Sequence, residues 1–386
     1  MSDVQFIFAI LGALYLWECA CWLRRGGVAF STWAGRHWRL QHPATMLGNQ
    51  SGGFLLAAPL PPLGIILTAN QLPVSLGPEG VLFFVSPNLN PGWRPPQSGR
   101  FLTWEEAGRL RVEGKKLMLG KERVYAAPTI TIADHLLTAL ASIAKRASEQ
   151  RSAAIKKLLR AGLDTKQIEA RRDDFFQQVR PIRYLANGLF ALVFGVAPLL
   201  ITFVGLKLVW LGLLVLLLGL TITTATLFAR LHRSFYPAAT EDRFTQTLII
   251  ALAPASTMRA HDVASRPLLE NFHPLAVAKN LLAEEDFCRL ARRVLLDLRH
   301  PALPTCPNPQ PPAVATELFY RRILLEVTEA WLRENKFAPD DLCTPPAAVD
   351  ASCLAYCPRC EAQFTSSSGS CSDCGGLALV TFRKPS

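Results

Sequence analysis

Ten cysteines occur in the chain, and four of them have the spacing that metal chemistry requires. Cys357 and Cys360 form one CxxC pair, Cys371 and Cys374 form a second, and ten residues separate the two. A tight turn between the cysteines of a pair points two thiolates at one place, and Gly375 and Gly376 give the backbone freedom needed after the second pair. Four soft sulfur ligands in a closed tetrahedron suit zinc as a structural ion, and iron is the other metal that accepts the same set. A filled tetrahedron leaves no position for a reactive water, so catalytic zinc is not expected. Cys353 breaks the spacing and is a bystander. Two disulfides or a redox pair are the competing readings, and the compartment holding the tail decides among them.

The elements that must position this cluster come from the rest of the 386 residues. The apolar fraction is 50% and the mean hydropathy +0.21, with the excess concentrated in three runs. The first occupies residues 4–23, within a predicted anchor over 1–23. At about 1.5 Å per residue it can cross a hydrocarbon core of about 30 Å. No basic residue precedes it and Arg24 and Arg25 follow at once, the reverse of a cleavable signal peptide, so its N-terminus is expected outside. Residues 184–229 hold the other two runs, 184–204 and 208–229, as a transmembrane helical hairpin around Gly205 and Lys207. Within it, LVWLGLLVLLLGL offers water no polar face.

The formal charge of +11 is distributed to one side of these runs. Arg171, Arg172, Arg180 and Arg183 precede the hairpin, Arg230, His232 and Arg233 follow it, and Lys207 alone sits in its turn. The positive-inside rule then places residues 24–183 and 230–386 in the cytoplasm, where thiols stay reduced and free to bind metal. Glu18 is the one acid at membrane depth and a functional candidate for that reason, although Trp17, Cys19 and Trp22 place it near the interface. Thr221, Thr223, Thr224 and Thr226 can bond their own helix and require no pore.

Residues 24–163 are expected to form a cytoplasmic α+β domain. Extended runs at 74–76 and 81–85 flank Gly77, Pro78, Glu79 and Gly80, and 109–112, 116–119 and 123–125 form a meander around Gly114 and Gly120. The latter stretch, GKKLMLGK, has the wrong spacing for a phosphate loop. Thr131 with Asp134 makes a loose capping box for a helix running toward Gly162. A juxtamembrane helix over 164–183 carries EARRDD as a solvated face. His37 and His42, among Arg36, Trp38 and Arg39, are expected at the membrane surface rather than on a metal.

Beyond the hairpin, 230–300 reads as a helical cytoplasmic region, clearest where Phe287, Leu290, Val294 and Leu298 fall on one side. Residues 301–350 read as a proline-rich linker plus a helix over 316–336, because PALPTCPNPQPP cannot sustain a helix. Phe319, Ile323, Val327 and Trp331 make that helix's core stripe. Residues 351–386 carry the four cysteines.

Around the CxxC pairs the chain resembles the zinc-ribbon family, with its four-cysteine, rubredoxin-like knuckles. Tyr356 leads into the first knuckle, Phe364 follows it, and LALVTF closes the segment, so the resemblance covers residues 352–384. It implies a small β fold around structural zinc and no single function, since ribbons read nucleic acid, dock proteins or merely stabilise. Residues 29–160 resemble, in topology alone, a pleckstrin-homology-like arrangement of strands closed by a helix, with Trp104, Glu105 and Glu106 opening the later strands. That implies a binding or assembly module.

The expected fold is a multi-domain membrane protein with three transmembrane helices, an α+β cytoplasmic domain, a helical cytoplasmic domain and a small β zinc ribbon. No HExxH, GxSxG or DxDxDG string occurs. The expected function is a non-enzymatic scaffold or regulatory protein, multi-pass in a bacterial inner (cytoplasmic) membrane, whose partners are the lipid bilayer and other proteins. One alternative is a membrane enzyme whose site is assembled from scattered residues such as His261, Asp262 and His273. Another is nucleic-acid binding by the ribbon, against which Arg359, Arg383 and Lys384 opposed by Glu361 and Asp373 make a thin electrostatic footprint.

Overall fold

The computed structural model describes residues 3–23, 28–33, 37–41, 64–69, 74–84, 99–127, 129–205, 208–237, 239–300 and 311–382. Arg24, Arg25, Arg36, His42, Lys207, residues 301–310, Arg383 and Lys384 lie outside the described residues, as does the side chain of Glu18. What is described is mostly helical, with small antiparallel sheets.

Helix α1, Asp3–Leu23, leads to β1 (Val28–Trp33), β2 (His37–Gln41) and β3 (Ile65–Ala69), which pair in the order β2-β1-β3. Strands β4 (Val74–Leu76), β5 (Gly80–Phe84) and β6 (Gly99–Thr103) form a second sheet. The expected turn is closed by the Gly77 N–H donating to the Gly80 carbonyl at 2.9 Å. Trp104, Glu105 and Glu106 do not open a strand. They form α2, Trp104–Ala107, because Thr103 and Glu106 make a reciprocal capping box and the buried Trp104 indole donates to the Gly77 carbonyl at 2.9 Å. The expected meander follows as β7 (Arg111–Glu113), β8 (Lys116–Leu119) and β9 (Glu122–Ala126). Gly114 and Gly120, at φ 59° and 62°, make its turns in the left-handed region.

Helix initiation differs from expectation. Thr129, not Thr131, caps α3 (Ile130–Ala144), because its extended backbone lets its hydroxyl accept from the Ile132 N–H at 3.2 Å. A second helix, α4 (Ser148–Ala161), then replaces the single helix toward Gly162. Asp164 caps α5, Thr165–Ala191, which continues through a π-helical stretch at Leu192–Val196 into α6, Ala197–Val204. Helix α7 is Leu208–Phe235. Thr165–Val204 and Trp210–Phe235 are the two stretches, among the described residues, long and apolar enough to cross a membrane. Leu199, Phe203, Leu211, Val215, Leu218 and Ile222 form an exposed apolar wall on them. The threonines of α7 bond as expected, Thr221, Thr223, Thr224 and Thr226 each donating to the carbonyl four residues back.

The chain then forms α8 (Thr240–Leu252), α9 (Pro254–Met258), α10 (Ala260–Ser265), α11 (Pro274–Leu281), α12 (Glu284–Arg299), α13 (Pro311–Glu334) and α14 (Pro339–Leu342). Pro311 and Pro312 belong to α13 rather than to the linker, since a helix's first turn needs no N–H from them. Helix α13 covers the β4–β6 sheet and packs on α4 and α12. Phe83, Trp104, Leu136, Phe175, Phe228, Leu275, Phe287 and Trp331 share one hydrophobic cluster.

Two glycines separate steric from conformational cost. A Cβ on Gly80 would sit 2.2 Å from the Leu102 carbonyl oxygen, whereas one on Gly114 would meet nothing within 4 Å. Gly114→Ala is expected to cost about 1 kcal/mol and Gly80→Ala about 3 kcal/mol, measured as thermal unfolding in detergent. Equal losses would contradict the packing described.

Candidate metal centre

The tail folds as β10 (Ala355–Tyr356), β11 (Gln363–Phe364), β12 (Ser370–Cys371), β13 (Leu377–Ala378) and β14 (Val380–Thr381), in a three-stranded sheet β11-β10-β14 and a separate β12-β13 pair. Each CxxC pair leaves the end of a strand. In the first knuckle the Cys357 N–H donates to the Ala362 carbonyl and the Glu361 N–H to the Cys357 carbonyl, both at 2.9 Å. Glu361 takes φ 62° to close that turn. In the second, Gly375 and Gly376 take φ 71° and 85°, and the Gly376 N–H donates to the Cys371 carbonyl at 2.9 Å.

These turns bring the sulfurs of Cys357, Cys360, Cys371 and Cys374 within 4.8 Å of one another, a set that could hold a metal ion. The Cys360 and Cys371 sulfurs are 3.7 Å apart. A tetrahedron with metal–sulfur distances of about 2.3 Å has edges of about 3.8 Å, while a disulfide is about 2.05 Å long. The donor set therefore fits a four-coordinate soft metal, and all four thiols are free of disulfides. Cys357, Cys371 and Cys374 are buried, with Phe364, Leu377 and Leu379 against them. Cys353 is also free and stands outside the set, as its spacing implied.

What the sequence did not reveal is how the first knuckle is attached. Arg292 of α12 makes a two-pronged ion pair with Glu361, its Nε 3.1 Å from Oε1, and donates to the Leu342 and Thr344 carbonyls at 2.7 and 2.6 Å. The Glu361 carboxylate raises the Arg292 pKa, holding its charge in place. Five residues along α12 from Arg292, Asp297 accepts from Arg359 Nε at 2.7 Å. Arg359 lies between the two cysteines of the first pair, so the knuckle delivers one charge of each sign to the helix. No local signal could have joined residues 69 positions apart in sequence.

The other candidates fare differently. His261 and Asp262 are fully buried and meet Arg259, whose NH2 lies 2.5 Å from Asp262 Oδ2. Both also reach backbone: His261 Nε2 lies 2.9 Å from the Gly64 carbonyl and 3.6 Å from Asp262 Oδ1, and Asp262 Oδ1 accepts from the Ile66 N–H at 3.1 Å. His273 stands apart, in a cleft of about 250 Å³ lined also by His135, Arg171, Asn271 and Tyr320. There it caps α11, its Nδ1 accepting from the Leu275 N–H at 3.2 Å. His37 is exposed on β2, beside Trp38, whose ring stacks on Phe176 of α5. No protein-family model matches the chain, and no curated protein or solved structure matches it either.

Burial pushes the His273 pKa down to about 4. The unfolded chain takes up this proton near pH 6.5 and the folded chain near 4, so the stability present above 6.5 is lost as pH falls through that interval. The loss at pH 4 is about 3 kcal/mol. His273→Asn keeps a capping acceptor without the titration, and its melting temperature is expected to fall less than the wild type's between pH 7 and pH 5. Identical slopes would assign the acid sensitivity to other groups.

Proposed function

We propose that this protein is a membrane-anchored, non-enzymatic scaffold or regulator whose zinc ribbon is a structural part of its cytoplasmic body. The observation that carries the reading is a closed set of four cysteine sulfurs whose first knuckle is pinned to α12 by Arg292–Glu361 and Arg359–Asp297. A filled tetrahedral site presents no open coordination position, and a pinned knuckle acts as a strut. Zinc fits these ligands and a reducing compartment, with Cys357, Cys360, Cys371 and Cys374 as its four ligands.

In this topology α1 is a third span alongside Thr165–Val204 and Trp210–Phe235, its N-terminus outside and the body and tail in the cytoplasm. A bacterial inner membrane is the setting proposed, and protein partners would meet the cytoplasmic body. Nucleic-acid reading is disfavoured because Arg359, one of the tail's few cations, is spent on Asp297. The enzyme alternative is disfavoured because His261 and Asp262 bond backbone groups in a solvent-free interior and His273 lines a different cleft.

Purified protein is expected to contain one zinc per chain, and Cys371→Ser to lose it and to release residues 343–382 to limited proteolysis about tenfold faster. Iron, or full protection without metal, would contradict the zinc strut. Chemical cross-linking in native membranes is expected to capture the same protein partners in stoichiometric yield from wild type, with loss in Cys371→Ser. Alanine changes at His261, Asp262 or His273 that abolish a cellular phenotype without lowering protein abundance would favour the enzyme reading instead.

A further inference from the structure

Helix α8 starts where α7 stops and runs back along it. Residues 236–239 alone separate the two, and Ala255 and Met258, beyond the far end of α8, pack on Leu189, Val193, Leu217 and Leu220. Leu189 on α5 and Val193 in the π-helical stretch lie about 9 and 15 Å beyond Arg183 along the continuous helix, well inside the apolar stretch. The composition of α8 changes along the same path. Glu241, Asp242 and Arg243 fill its first turn, and Asp242 pairs with Lys115 of the body at 3.7 Å. Its far end reads LIIAL, and Phe244, Leu248, Ile249 and Leu252 point outward with nothing over them, Phe244 and Leu252 being 72% and 74% exposed.

The backbone break after α8 is one that a water-free medium tolerates. Pro254 has no N–H to serve the Ile250 carbonyl, and the Thr257 hydroxyl donates to that oxygen instead, at 2.5 Å. On the return limb every named polar group faces inward. Arg259 and Asp262 pair in full burial, with Tyr15 of α1 beside the guanidinium. The Ser265 hydroxyl donates to the Ile66 carbonyl at 2.7 Å, and the Tyr236 hydroxyl to the Ala264 carbonyl at 3.0 Å. A helix of 13 residues is too short to cross a bilayer.

We propose that residues 240–265 form a re-entrant hairpin that enters the bilayer from the side of the aqueous body and returns to it. Phe244, Leu248, Ile249 and Leu252 contact lipid acyl chains, and the Arg259–Asp262 pair lies where the hairpin rejoins the body, enclosed by α1, α5 and β3. The proposal rests on the membrane reading of α5–α7. Lipid is the occupant because this face continues the apolar wall of α7, and because the charges of α8 are confined to its first turn, which is tied to the body, while those of the return limb are buried as a pair.

The test places a benzophenone amino acid singly at Phe203, Leu248, Leu252 or Val349 of the full-length protein in phosphatidylcholine–phosphatidylglycerol liposomes, followed by illumination and mass spectrometry. Acyl-chain adducts are expected at 203, 248 and 252 and not at 349. Lipid adducts at 203 with protein adducts, or none, at 248 and 252 would overturn the hairpin and leave the spans standing. Absence of lipid adducts at 203 would overturn the membrane reading and the hairpin together.

Discussion

Hydrocarbon offers no hydrogen bonds, and the outward surface of α6 and of α7 as far as Leu227 needs none. Its side chains are apolar, and its threonine hydroxyls return to carbonyls of their own helix. The same 40-residue helical stretch joins two packing clusters, since Ile168, Phe175, Val179 and Ile182 are buried in the core of the body while Leu189 and Val193 pack against α1 and α9. At about 1.5 Å per residue it is a rod of about 60 Å. The body is therefore attached to the apolar wall by continuous helix rather than by a flexible tether, and any tilt of the rod moves both ends.

The tail shows the same preference for rigid attachment. A free ribbon would present its knuckles to solvent, but here Arg359 and Glu361 meet Asp297 and Arg292 with opposite polarity, which fixes orientation as well as position. Arg299 extends the arrangement by bonding both Glu329 of α13 and Asp340 of α14. Metal binding at the four cysteines would set the knuckle that carries two of these charges, so metal content and the packing of α12 are linked.

Local chemistry was legible in the sequence and long-range pairing was not. The CxxC spacing located four sulfurs that converge, the glycines at 77, 80, 114 and 120 located the turns, and the stripe of α12 located its buried face in part, Phe287 and Leu290 being buried but Val294 and Leu298 only half-buried beside Ala291, Leu295 and Leu296. The misplacements were of one kind. Thr131 lost the cap to Thr129, whose hydroxyl is also held by the buried Glu270, and the Trp104 segment became a helix because its indole reached back to Gly77. The burial of Arg259 with Asp262 was invisible because it depends on α1, β3 and α5 arriving from distant positions. The apolar end of α8 escaped notice because it is too short to register as a span.

The account turns on which side of a bilayer holds the body and its tail. Trypsin added to sealed membrane vesicles of both orientations, with immunodetection of the C-terminus, reads this directly. Cleavage of the tail in inside-out vesicles and its protection in right-side-out ones is the result expected. Cleavage in right-side-out vesicles would place the cysteines in an oxidising compartment and contradict both the topology and the reduced, metal-bound tail.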